Sequence, residues 1–134
     1  DEPFGPNNPE SFFGILRFNE SLSVKPSAVA FSNMVNNYRH AIPVGKYVGQ
    51  SYGFAYDNQG KNQLCLWTEK DSKEETLYLP NTKKVNVTDI FGRVQQLKVL
   101  NGKVIITIGY LPITITGFDQ DDFTGLYAPR KVVK

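Results

Sequence analysis

Val99-Leu100-Asn101-Gly102-Lys103-Val104-Ile105-Ile106-Thr107-Ile108 is the stretch that decides the fold class. Asn101-Gly102 suits a tight two-residue turn in which both central residues take positive φ, and it predicts a hairpin. Val104, Ile106 and Ile108 then recur at period two, the spacing of one face of a strand. The same alternation marks Leu64/Leu66, Leu77/Leu79, Val85/Val87 and Ile113/Ile115. Turn signals separate these runs, among them Asp57-Asn58-Gln59-Gly60 and the charged run Lys70–Glu75. Strands are expected at 47–56, 62–69, 76–80, 84–88, 93–99, 103–109 and 112–117. About seven short strands at this spacing predict a mainly β chain folded as an antiparallel β-sandwich.

Upstream the period changes. Val24, Ala28, Phe31, Val35, Tyr38 and Ile42 fall at helical spacing and predict one amphipathic α-helix over 24–42. Pro26 fits its first turn, Arg39 and His40 suit its C-terminal end, and Pro43 with Gly45 stops it. Ala30 and Met34 widen the apolar side, so the stripe is expected to be buried. A charge at Val35 would then be strongly destabilising or dissociating. Residues 1–22 read as an irregular N-terminal arm that docks through Phe12, Phe13, Ile15 and Phe18. The chain divides into 1–45 (arm and helix), 46–118 (sandwich) and a polar, fraying tail at 119–134, all within one folding unit.

Composition narrows the chemistry. The 134 residues carry 15 basic and 13 acidic side chains, a net charge of +2 with no basic block, so no nucleic-acid surface is expected. The apolar run Val104-Ile105-Ile106 is far short of the roughly 20 residues of a membrane span. A single cysteine allows no internal disulfide, and with one histidine it leaves few soft ligands for zinc. Asp1-Glu2-Pro3 does not read as a signal segment.

No residue stands in a recognisable catalytic context, and no cofactor is implied. His40 reads as a surface group at a helix end, and Cys65 as a buried structural thiol. Asp57, Glu69, Asp71, Glu74, Glu75 and Asp89 read as solvated turn residues. Asp119, Asp121 and Asp122 are weak candidates for a calcium site, lacking the glycine and distal glutamate of a helix-loop-helix loop. Aromatics are abundant, with nine Phe, seven Tyr and one Trp. Trp67 and Phe54 are expected in the core, Trp67 between two sheets. Tyr52, Tyr56, Tyr78 and Tyr110 are candidate sugar-stacking residues, because a phenol ring covers the apolar face of a pyranose while its hydroxyl bonds. Asn19-Glu20-Ser21 and Asn86-Val87-Thr88 are acceptor sequons.

Phe13-Gly14-Ile15-Leu16-Arg17 followed by Val24-Lys25-Pro26-Ser27-Ala28 resembles the passage into the last helix of TIM-barrel glycoside hydrolases. Leu64-Cys65-Leu66-Trp67-Thr68, then Val85 to Gly92, Asn101-Gly102-Lys103-Val104 and Leu111 to Gly117, is similar to the β-sandwich that follows the barrel in such enzymes. In that family the catalytic glutamates lie on earlier barrel strands, and none of the matching positions is catalytic. The resemblance therefore implies a non-catalytic accessory domain of a secreted or periplasmic enzyme. A barrel of about 250 residues does not fit within this chain. The partners implied are the catalytic barrel domain of a parent protein, or a second copy meeting the helix stripe, and a polysaccharide. Two other readings are an independent carbohydrate-binding module and a small hydrolase with an unrecognised carboxylate pair.

Overall fold

In the computed structural model, residues 26–131 are described; the N-terminal arm, Val24 and the Asn19 sequon lie outside them. Helix α1 (Pro26–Tyr38) precedes β1 (Ala41–Tyr47), β2 (Tyr52–Asn58), β3 (Lys61–Trp67), β4 (Lys73–Tyr78) and β5 (Lys84–Thr88). Then follow β6 (Val94–Lys98), β7 (Lys103–Ile108), β8 (Ile113–Thr116), α2 (Gln120–Thr124) and β9 (Tyr127–Pro129). Seven strands form one antiparallel sheet in the order β6-β5-β8-β3-β2-β1-β9, and β4 pairs with β7 in a second, two-stranded sheet.

Period-two burial builds the core. On β7, Val104, Ile106 and Ile108 point inward while Lys103, Ile105 and Thr107 face out. Leu77 of β4, Leu64 and Leu66 of β3, Val85 of β5 and Ile115 of β8 meet them between the sheets. The two layers are those of a sandwich, and a strand forms at each expected run from 62–69 to 112–117. Two further strands, β1 and β9, extend the large sheet.

Asn101 and Gly102 take φ of 52° and 71°, and Leu100 and Lys103 exchange both backbone hydrogen bonds across them. The turn is tight, but it does not join paired strands. Val99 N–H bonds to Lys83 O while Gly102 O accepts from Leu79 N–H, so the chain crosses here from the large sheet to the small one.

Three further expectations change. The helix stops at Tyr38, and Ile42 lies on β1, where a bulge between Pro43 and Gly45 absorbs the proline. The segment 47–56 breaks at 48–51, so Tyr47 ends β1 and Tyr52 starts β2. The C-terminal segment is packed onto the sheets through β9. Phe118, Phe123 and Leu126 are buried, and the Phe123 ring lies 5.6 Å from Phe118 and 5.2 Å from Tyr127. Its β9 pairs with β1 so closely that a side chain at Gly45 would strike Ala128 O.

Candidate functional site

Beside the small sheet lies an open cleft of about 680 Å³, bordered by β4, the turn after β1, and α2. Two carboxylates that the sequence placed in solvated positions are buried along it, Glu75 at 5% exposure and Asp122 at 6%. Glu75 sits in β4 on the inward side, in step with Leu77. It accepts hydrogen bonds from Tyr47 Oη at 2.6 Å, Gln50 N–H at 3.0 Å and Ser51 Oγ at 2.8 Å, with Lys73 Nζ 3.8 Å away. Burial works to raise its pKa, but these hydrogen bonds and the lysine charge outweigh it and hold the carboxyl below the usual 4.5. A general acid for glycoside cleavage needs the opposite shift.

Asp122 is held in the same way. Its Oδ2 accepts from Asn81 N–H at 2.9 Å and Thr82 Oγ1 at 2.6 Å, and its Oδ1 from Asn81 Nδ2 at 3.0 Å. Asp119 caps α2 through the N–H groups of Asp121 and Asp122. The three aspartates do not converge on a cation; among the described residues no three His, Cys, Asp or Glu side chains are grouped to hold a metal. Sequence reasoning missed the buried pair. The available signal was the parity of Glu75 with Leu77 and Leu79, both inward.

The other face of the large sheet carries α1. Asn33 Nδ2 donates to Ile90 O at 3.2 Å, Asn37 O accepts from Asn58 Nδ2 at 2.8 Å, and Tyr38 Oη bonds to Thr114 Oγ1 at 2.6 Å. The Tyr38 ring stands edge-on to Tyr56 at 5.2 Å. Polar groups therefore face the sheet. Of the expected stripe, Ala28 and Tyr38 are half-buried, but Phe31 is 62% exposed, and Val35 and Ile42 are exposed with it, as is Met34. The helix has no fully buried residue. Cys65 lies half-buried beneath it, and burial pushes its thiol up, so it stays neutral. His40 is exposed in the turn after α1.

Beyond the helix the same sheet face is aromatic. Leu64 and Leu66 take the inner side of β3, so Cys65 and Trp67 must point outward. Trp67 is half-buried rather than enclosed between sheets, and Phe54 is exposed rather than core. The Tyr52 ring stacks on Trp67 at 6.0 Å and 23°, and Phe54 meets Trp67 at 5.9 Å and 31°. Tyr52 Oη donates to Glu69 Oε1 at 3.0 Å.

The four candidate tyrosines are dispersed. Tyr52 belongs to this aromatic group, and Tyr56 is half-buried against α1. Tyr78 is exposed on the outer side of the small sheet, with Lys103 Nζ 5.5 Å from its ring centre. Tyr110 is exposed in the turn before β8, where Gly109 O accepts Thr68 N–H just past Trp67.

Sequence comparison finds no matching family model and no matching curated protein. Comparison of three-dimensional structure does find a match, a family 39 glycoside hydrolase from the gut symbiont Bacteroides cellulosilyticus WH2, at a TM-score of 0.70 and 22% identity. The fold is shared with part of a glycoside hydrolase. The match takes in 84% of this chain and only 24% of that one, so this chain spans about a quarter of its neighbour's length. The resemblance read from Leu64–Thr68 and Val85–Gly117 is thus also a likeness of fold. No helix among the described residues is long and apolar enough to cross a membrane.

Proposed function

We propose that the chain is a non-catalytic accessory β-sandwich of a secreted or periplasmic glycoside hydrolase, bracing a catalytic barrel through the outward side of α1. The unequal coverage of the structural match carries this reading, since the common fold is a minor part of the longer enzyme. The engagement of Glu75 and Asp122 supports it, because every oxygen of the two carboxylates already accepts a hydrogen bond from the protein. So does α1, which turns Phe31, Met34 and Val35 to solvent while Asn33 donates to Ile90 O and the Asn37 carbonyl accepts from Asn58. A contiguous apolar patch on a monomer is commonly an interaction surface.

The test is turnover of a broad panel of aryl glycosides by the purified chain. No turnover is expected. Activity that disappears in Glu75→Gln or Asp122→Asn, with the circular dichroism spectrum retained, would establish a small hydrolase instead.

A further inference from the structure

The aromatic group on the outer sheet face continues into a cationic margin. Phe54 lies between Cys65 of β3 and Lys46 of β1 in one cross-strand row, and Lys46 in turn faces Ala128 of β9. Arg130 follows β9 and is tied back to β1 by its N–H bond to Val44 O at 2.9 Å. Lys46, Phe54, Pro129 and Arg130 border one open depression of about 480 Å³, with no carboxylate in its lining. Neither cation is ion-paired to another described residue. At the far rim, Glu69 is engaged by the Tyr52 phenol.

We propose that this surface binds an anionic polysaccharide built on uronic acids, with a pyranose ring stacked on Trp67 and Phe54 and carboxylates held by Lys46 and Arg130. Tyr52 and Phe54, with ring centres 6.0 Å and 5.9 Å from that of Trp67, make with it an apolar strip broader than a single side chain, which the C–H face of a sugar can cover. The charges favour an anionic glycan over a neutral one. They also argue against a protein covering the same place, since a dry interface would strip water from two cations with no carboxylate beside them. A glycan on an open platform leaves both heads wet. The site goes beyond the accessory reading and does not depend on α1 docking against a barrel.

Trp67 is the single tryptophan, so its emission reports on this surface alone. The experiment is fluorescence titration with tetrasaccharides of galacturonate, glucuronate or mannuronate, beside cellotetraose. A saturable change with at least one uronate series is expected, and it should weaken at 1 M salt, where screening shortens to about 3 Å. The double variant Lys46→Ala/Arg130→Ala alters exposed side chains only and should weaken binding about fivefold, as two exposed ion pairs would. Trp67→Ala, followed by calorimetry, should abolish it. The proposal is overturned by silence with every uronate series, by an equal response to cellotetraose, by affinity unchanged in the double variant, or by an emission shift that follows self-association without sugar. Glycosidase turnover would sink the accessory reading and leave this result standing, so the two fail separately.

Discussion

Tyr47 Oη donates a 2.6 Å hydrogen bond to Glu75 Oε1, joining the last residue of β1 in the large sheet to the inward side of β4 in the small one. Ser51 Oγ and Gln50 N–H reach the same carboxylate, so one buried charge fixes both the contact between sheets and the turn from β1 to β2. Removing Glu75 orphans three donors at once. Glu75→Ala is expected to cost about 3–5 kcal/mol, the range for breaking a buried charged network. Tyr47→Phe, which leaves the other donors in place, should cost about 1.5–3 kcal/mol. Urea unfolding of both variants measures the difference.

The same pair predicts how stability follows pH. The Glu75 carboxyl is held below 4.5, so its contribution is complete above that value and is lost as pH falls through the folded-state value. Tyr47 is shifted the other way: burial first, then the bond to Glu75, raises its phenol above 10.0. Burial likewise raises Tyr38. Their contribution is complete below pH 10 and is lost as pH rises beyond it. Melting temperature should therefore decline at both extremes, and Glu75→Gln should flatten the acid limb. An acid limb as steep in that variant as in the parent would refute the assignment.

Asp122 holds α2 to the turn between β4 and β5 through Asn81 and Thr82. Asp122→Ala should cost about 3 kcal/mol, because three donors, the buried Thr82 hydroxyl among them, lose their charged acceptor. Asp121 is exposed, and Asp121→Ala should stay within about 0.5 kcal/mol. Calcium should not raise the melting temperature of the parent protein. A calcium-dependent rise lost in Asp122→Ala would show that the carboxylate serves a cation after all.

On α1 the outward side is separable from the inward one. Val35 is 42% exposed, and Val35→Asp in this chain should change stability by no more than about 0.5 kcal/mol. Tyr38→Ala removes the bond to Thr114 and the edge contact with Tyr56, and should cost about 2–3 kcal/mol. Thermal unfolding and sedimentation of Val35→Asp check the assignment together. A large loss, or a fall in mass, would mean that a second copy covers this side.

Trp67 is half-buried, with Tyr52 and Phe54 against it. Its emission should lie between the buried and fully hydrated limits and be quenched by acrylamide. Trp67→Ala should cost about 1–2 kcal/mol, below the 3–5 typical of an enclosed aromatic. A blue-shifted, quencher-resistant emission would restore the core assignment.

The sequence alone determined the local periods and turns, because these depend on neighbours a few residues apart. Val104, Ile106 and Ile108 alternate inward as read, Asn101-Gly102 takes positive φ, and Ala28 to Tyr38 is helical. Only the tertiary structure decided which side of each element is covered. Cys65 and Trp67 alternate with leucines as apolar as themselves, so the pattern marks both sides of β3 as core, and the small sheet arrives on only one. On α1 the apolar stripe is real, yet the bond from Asn33 to Ile90 O, 57 residues away, and that from Asn58 to the Asn37 carbonyl fix a polar side toward the sheet. Glu75 and Asp122 reach burial through donors 24 to 41 residues distant. A charge far from water is stable only where such donors converge, and convergence is a property of the folded chain rather than of any window of its sequence.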